Sequence, residues 1–201
     1  MYHKYECYIN SVFKDVAEIV REMRSFFYAL YLFEDNIDDL KTFMLSRSDV
    51  KKSVFDYNLT GSNSRDNARN LLHCIDSLDV PKYQIDRSVY KLIFLCHPML
   101  YEMWETNELF IMSFISHHVA ITRFYAQRIF KWPGNASKIM EQNCSSRDIR
   151  NRVGGAVYCF SSLIKHSCVP NIARHINSKN GMNLVVVRPI NKGQQIFVSY
   201  R

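Results

Sequence analysis

Apolar residues recur at steps of three and four positions along the first part of the chain, which is the pattern of a helix with one buried side. The stripe is formed by Val12, Val16, Ile19, Val20, Met23, Phe27, Leu30 and Tyr31. It predicts a long first helix that starts near Val12. Two acidic residues, Asp38 and Asp39, precede another apolar group and predict a short second helix.

Three further segments predict helices, namely residues 65–76, 84–96 and 99–129, with the last forming one helix or two. Between them, residues 46–64 are rich in Ser, Asn, Asp and Lys and predict a loop. Residues 132–135 have the sequence Trp-Pro-Gly-Asn, which ends the helical pattern.

After Pro133 the pattern changes to short segments. Residues 184–187 and 196–200 are rich in β-branched and aromatic side chains and predict strands. Asn180-Gly181 and residues 191–193 predict turns. We therefore predict an α+β fold, in which a helical N-terminal two-thirds is followed by a small C-terminal β core.

The composition is that of a globular protein with a buried core, since 47% of the 201 residues are hydrophobic. The longest apolar runs, residues 26–33 and 109–121, fall short of the roughly 18 residues that a membrane-spanning helix needs. The N-terminal residues lack the layout of a secretory signal. We expect a soluble protein in the cytoplasm, the nucleus or both, where its six scattered cysteines stay reduced or bind metal.

The formal net charge of +7 and the pI of about 9.1 would suit an anionic partner. The basic residues are distributed over separate segments, without an Arg-rich arm or an aromatic-basic recognition motif. We therefore expect them to form a solvated surface rather than to bind nucleic acid directly.

Two C-terminal segments carry the candidate chemistry. Residues 165–171 have the sequence Lys-His-Ser-Cys-Val-Pro-Asn, and residues 193–201 have the sequence Gly-Gln-Gln-Ile-Phe-Val-Ser-Tyr-Arg. Together they resemble the last two motifs of a SET domain, the fold of protein-lysine methyltransferases. The resemblance implies that S-adenosylmethionine is the cofactor, that His166 lies at this cofactor, and that the Tyr200 hydroxyl lies beside the transferred methyl group. A tyrosine hydroxyl can orient the substrate amine by a hydrogen bond without ionising.

The N-terminal residues narrow the family further. His3 and Cys7 have the His-x-x-x-Cys spacing of the last two zinc ligands of a MYND finger. Combined with the SET motifs, this spacing resembles the SMYD type, which joins SET and MYND domains. The resemblance implies a MYND remnant at residues 1–8, a helical insert at 9–132, a SET core at 133–201, and a histone or non-histone protein lysine as substrate.

Several positions depart from the family pattern. Lys165 replaces an Asn that contacts the cofactor, and Tyr125 aligns with a second such Asn. Cys168 corresponds to a zinc ligand whose three partner cysteines would follow Arg201 in the family. The zinc sites are therefore expected to be incomplete, and the chain is expected to be a fragment that is truncated at both ends.

Three alternatives remain open from the sequence. A catalytically silent SET-like scaffold or interaction protein is favoured by Lys165, and a nucleic-acid-binding domain rests on charge alone. A nucleophile pair of Cys168 with His166 or His175 is the weakest of them, because the sequence offers nothing to orient the imidazole.

Overall fold

The computed structural model describes residues 3–13, 17–46, 64–130, 152–177 and 181–200. The chain divides into two compact units, Met1–Phe124 and Tyr125–Arg201. The described residues contain helices followed by small sheets, which confirms the predicted α+β class. None of the described helices has the length and apolar character that would let it span a bilayer.

Six helices form the described part of the first unit, and the last of them runs one residue into the second unit. They are α1 (His3–Val12), α2 (Ala17–Leu32), α3 (Ile37–Ser46), α4 (Ser64–Asp76), α5 (Arg87–Cys96) and α6 (Tyr101–Tyr125). The backbone of α6 is non-helical at Asn107, so that two helices meet there at a kink. The predicted second, third and fourth helices are confirmed as α3, α4 and α5.

The first helix differs from its prediction. The long stripe belongs to α2, which starts at Ala17, whereas Val12 ends a separate helix, α1, and is half exposed. Val16 and most of the predicted loop at 46–64 lie outside the described residues. The stripe from Val20 to Leu30 is buried as predicted.

The core of the first unit is aromatic and includes α1. Tyr5 and Ile9 of α1 are fully buried, and the ring of Tyr5 stacks on Phe27 of α2 at a centroid distance of 4.7 Å. Phe26 packs against Phe94 and Phe114, which joins α2, α5 and α6. Each large apolar side chain buried in this way contributes about 1.5–3 kcal/mol, so α1 is an integral part of the helical unit.

The second unit contains a two-stranded and a four-stranded sheet within the described residues. Strands β1 (Gln127–Phe130) and β2 (Arg152–Ala156) pair antiparallel. A helical turn, α7 (Cys159–Ser162), follows them. The second sheet contains β3 (Lys165–His166), β4 (Ile172–Ile176), β5 (Met182–Val186) and β6 (Phe197–Val198), in the order β3-β6-β4-β5.

The predicted strands near residues 184–187 and 196–200 are confirmed as β5 and β6. Residues 127–129 were included in the last predicted helix, and this is wrong because they belong to β1. The predicted turn before β6 is confirmed, since the Gln194 amide donates to the Asn191 carbonyl at 3.0 Å and Gly193 has a φ of +83°. Such a φ favours glycine, which has no Cβ to clash.

Candidate functional site

The two motif segments meet because β6 lies between two strands that follow each other in the chain. β6 runs parallel to β3 on one side and to β4 on the other. His166 and Ile172 are both register partners of Val198. The segment that connects β3 to β4 must therefore pass β6, and this crossing places the residues after Val198 beside His166.

Asn171 holds this crossing in place. Its side-chain Nδ2 donates to the Gln195 carbonyl at 2.9 Å, and its Oδ1 accepts the Phe197 amide at 2.8 Å. The residue is only 6% exposed, so both bonds are shielded from water. An amide suits this position because it offers a donor and an acceptor together. The sequence placed Asn171 inside the motif but did not predict this positioning role.

Tyr200 is held by hydrogen bonds at its backbone amide and at its side-chain hydroxyl. Its backbone amide donates to His166 Nδ1 at 3.0 Å, and its hydroxyl donates to the Ile164 carbonyl at 2.5 Å. The two rings lie 5.2 Å apart, and Tyr200 is 47% exposed. Because the hydroxyl hydrogen is used by Ile164, the lone pairs of the Tyr200 oxygen remain available to accept from another group.

The same contacts set the proton position on His166. Nδ1 accepts a hydrogen bond, so the neutral ring carries its proton on Nε2. Nε2 lies 3.5 Å from Cys168 Sγ and therefore donates to the sulfur. An Nε2 that carries a proton cannot act as a base toward the thiol. The Tyr200 amide does orient the imidazole, but in the tautomer that disfavours a Cys168–His166 nucleophile pair.

Arg174 of β4 also contacts Tyr200, which the sequence did not predict. Its guanidinium carbon lies 5.4 Å from the centre of the Tyr200 ring, and its NH2 group donates to the Ser199 carbonyl at 2.7 Å. Burial lowers the pKa of Arg174, although the nearby Tyr200 opposes this shift. A cation is attracted to the electron-rich face of an aromatic ring, and this contact restrains the position of the Tyr200 ring.

The other predicted cofactor residues, Lys165 and Tyr125, lie in separate elements of the structure. Lys165 is exposed beside His166 on β3, and within the described residues it forms no ion pair. Tyr125 ends α6, is half-buried, and accepts a hydrogen bond from Gln127 through its carbonyl. The cofactor roles assigned to Lys165, His166 and Tyr125 stay predictions, as does the catalytic role of Tyr200.

The predicted metal ligands belong to different units. His3 and Cys7 lie one helical turn apart in α1, and Cys7 is exposed, whereas the side chain of His3 lies outside the described residues. Cys168 is an exposed thiol in the second unit. In the described ranges, no group of three or more His, Cys, Asp or Glu could hold a metal ion.

Comparison with known proteins adds one finding. The model of the family described as SET domain matches residues 9–201, which is nearly the whole chain and includes both units. No curated protein and no solved structure matches the chain.

Proposed function

This chain belongs to the SET domain family, whose members are generally protein-lysine methyltransferases, and we propose that it is an S-adenosylmethionine-dependent protein-lysine N-methyltransferase. The observation that carries the proposal is the meeting of Tyr200 with His166 across the β3–β6 crossing. A methyl transfer needs mainly accurate positioning, and this crossing fixes two side chains from segments about thirty residues apart in sequence.

The open edge of β3 fits an adenine ring. The Ser167 amide donates to the Val198 carbonyl, and successive backbone groups of a strand face opposite edges. The amide and carbonyl of His166 therefore face away from β6, and among the described strands β6 alone pairs with β3. This donor and acceptor pair is the complement of a purine edge. It supports a role for His166 through its backbone, since both ring nitrogens are already in use.

Lys165 fits the carboxylate of the cofactor better than its sulfonium. An ammonium about 4 Å from a sulfonium would cost roughly 4 kcal/mol at an effective dielectric of 20. The exposed Lys165 side chain is long and can instead point toward a carboxylate. We propose that Lys165 binds the amino-acid end of the cofactor in this way.

The chemistry assigned to the chain is the orientation of a neutral lysine amine. S-adenosylmethionine, when bound, supplies a sulfonium methyl group for transfer to the amine nitrogen. The Tyr200 oxygen, with its hydrogen held by Ile164, accepts a hydrogen bond from the substrate amine and turns the nitrogen lone pair toward the methyl group. The nearby cation of Arg174 favours the neutral amine over the ammonium, because like charges repel.

We further propose that the chain is of the SMYD type. This proposal rests on the His3–Cys7 spacing and on the helical unit that precedes the SET motifs.

Zinc has no part in the proposed chemistry. A zinc-bound histidine normally donates its other ring nitrogen, whereas Nδ1 of His166 accepts, so His166 does not fit as a partner of Cys168 at a metal. The described residues do not fit a complete zinc site.

A catalytically silent SET-like scaffold is the second candidate. Lys165 favours it, since a donor-only side chain replaces an amide that could also accept from the cofactor's amino group. This candidate predicts the same crossing of β3, β6 and β4 without cofactor binding.

Isothermal titration of S-adenosylmethionine into the whole chain separates the two candidates. We expect a saturable binding heat for the natural sequence, and tritiated methyl transfer to lysine in a panel of acid-soluble and neutral cell proteins. Lys165→Asn should bind at least as tightly, because it restores the family amide. If neither protein shows heat or methyl transfer, the scaffold candidate is correct and the enzyme proposal is wrong.

A further inference from the structure

The charge of the chain is unevenly divided between its two units. Residues 125–201 contain twelve Lys and Arg against two Asp and Glu, a formal net charge of +10. Residues 1–124 contain fourteen Lys and Arg against seventeen Asp and Glu, a formal net charge of −3. The net charge of +7 is therefore a property of the unit that carries the candidate site.

The described part of the second unit contains no carboxylate side chain, because Glu141 and Asp148 lie outside the described residues. In the first unit, by contrast, several cations pair with nearby carboxylates. Arg24 pairs with Glu6 at 2.7 Å, and Arg123 pairs with Glu22 at 3.2 Å. Cations without local partners raise the positive potential of a surface and attract anions from solution.

Two of these cations lie on strands that form the candidate site. Lys165 precedes His166 on β3, and Arg174 faces the Tyr200 ring. Arg188 and Lys192 are exposed in the segment that leads from β5 to β6. None of these four forms an ion pair within the described residues.

We propose that this surface binds an acidic protein segment, so that the substrate lysine is flanked by Asp and Glu rather than by Lys and Arg. This inference rests on the proposed methyltransferase function. A cationic surround repels a substrate rich in Lys and Arg and favours the neutral form of the target amine. Flanking carboxylates supply the attraction that the target lysine itself does not.

A protein segment is favoured over nucleic acid because Arg174 lies beside Tyr200, where the proposed substrate amine binds. An individual exposed ion pair contributes little to binding, so the selectivity comes from several of them together. The interaction is therefore expected to weaken as salt is added, because salt screens exposed charges beyond a Debye length of about 8–10 Å.

Fluorescence anisotropy with the full chain and no cofactor tests the inference. The probes are three labelled peptides of equal length, each with one central lysine, flanked by Asp and Glu, by Ser and Gly, or by Arg. At low salt we expect the acidic peptide to bind about tenfold more tightly than the neutral one, with the difference declining as salt rises. The Arg-flanked peptide should bind more weakly than both.

Charge-reversal variants test which residues form the surface that binds the acidic peptide. The double variant Arg188→Glu, Lys192→Glu should lose about tenfold in affinity for the acidic peptide. The matched control Lys82→Glu, Lys91→Glu makes the same change of charge at exposed positions of the first unit and should have a smaller effect. Thermal unfolding of both variants shows that each is folded before binding is measured.

The outcomes separate this inference from the function on which it rests. Equal binding of the three peptides, or equal losses in the two double variants, would overturn the acidic-segment inference. So would tighter binding of an oligonucleotide that carries the same charge as the acidic peptide. A preference for the acidic peptide without any methyl transfer to it would support the surface and overturn only the methyltransferase proposal. Methyl transfer without a preference for the acidic peptide would support the methyltransferase proposal and overturn the acidic-segment inference.

Discussion

At the scale of single residues, Tyr200 is the side chain on which the proposed chemistry depends. Tyr200→Phe keeps the ring, and with it the contact of Arg174, and removes only the oxygen. We expect kcat for methyl transfer to fall on the order of 10²-fold, because the substrate amine loses its orienting acceptor. Binding of S-adenosylmethionine should not change. Radiometric methyl transfer and titration calorimetry on the same preparation measure both quantities.

Tyr158→Phe is the matched control, since it also removes one tyrosine hydroxyl from the second unit, at a half-buried position outside the β3–β6 crossing. An equal loss of kcat in the two variants would show that hydroxyl removal acts through general stability, and the special role of Tyr200 would then be abandoned.

At the scale of elements, the position of β6 depends on Asn171. Asn171→Leu has a similar volume but leaves the Gln195 carbonyl and the Phe197 amide without the partners that now bind them. Each unsatisfied group costs about 1–3 kcal/mol. We expect a loss of about 2–4 kcal/mol in the free energy of unfolding, together with faster hydrogen exchange at Phe197 and Val198.

Asn183→Leu makes the same chemical change on β5 at an exposed position and should alter the stability by less than about 0.5 kcal/mol. If exchange at Phe197 is as slow in Asn171→Leu as in the natural chain, then the Asn171 side chain does not hold β6 in place.

The helix α1 allows a second test at this scale. Ile9 is fully buried, whereas Val12 on the same helix is 50% exposed. Ile9→Ala should lower the free energy of unfolding by about 2–5 kcal/mol through lost burial and a residual cavity. Val12→Ala should change it by less than about 0.5 kcal/mol. Urea titrations monitored by circular dichroism measure both, and similar values would mean that α1 does not pack in the core.

The elements that could be predicted from the sequence are those whose signal is local. The stripe from Val20 to Leu30 identifies the buried side of α2, because a helix contains its own hydrogen bonds and needs only one periodic face. β1 could not be found in this way. Its partner β2 lies more than twenty residues further along, so its pairing depends on a non-local contact that apolar periodicity does not encode.

In the candidate site, too, some features could be predicted from the sequence, whereas others depend on non-local contacts. The motif residues His166 and Tyr200 could be selected from the sequence, since their order and spacing resemble a known family. The roles of Asn171 and Arg174 could not, because both act on residues more than twenty positions away, in β6 and just after it. The proton position on His166 likewise follows only from the hydrogen bond of the Tyr200 amide.

At the scale of the whole molecule, a buried histidine of the first unit, His118, makes stability depend on pH. His118 is 3% exposed and stacks on Phe114, with Nε2 at 3.3 Å from the Asp76 carboxylate. Burial lowers the pKa of His118, although Asp76 opposes the shift and His117 adds to it. The unfolded chain therefore binds a proton more readily than the folded chain. This contribution to stability is complete above the unfolded pKa of about 6.5 and is lost as the pH falls below it.

One proton difference corresponds to a slope of up to about 1.4 kcal/mol per pH unit. Urea unfolding at steps between pH 7.5 and 5.5 should show the free energy of unfolding decreasing toward acid. In His118→Gln, which cannot gain this proton, the decrease should be smaller by up to that slope. His175→Gln, which removes a histidine from an exposed position of β4, is the matched control. Parallel curves for the natural chain and His118→Gln would show that other groups determine the response to pH, such as His97, whose pKa burial also lowers.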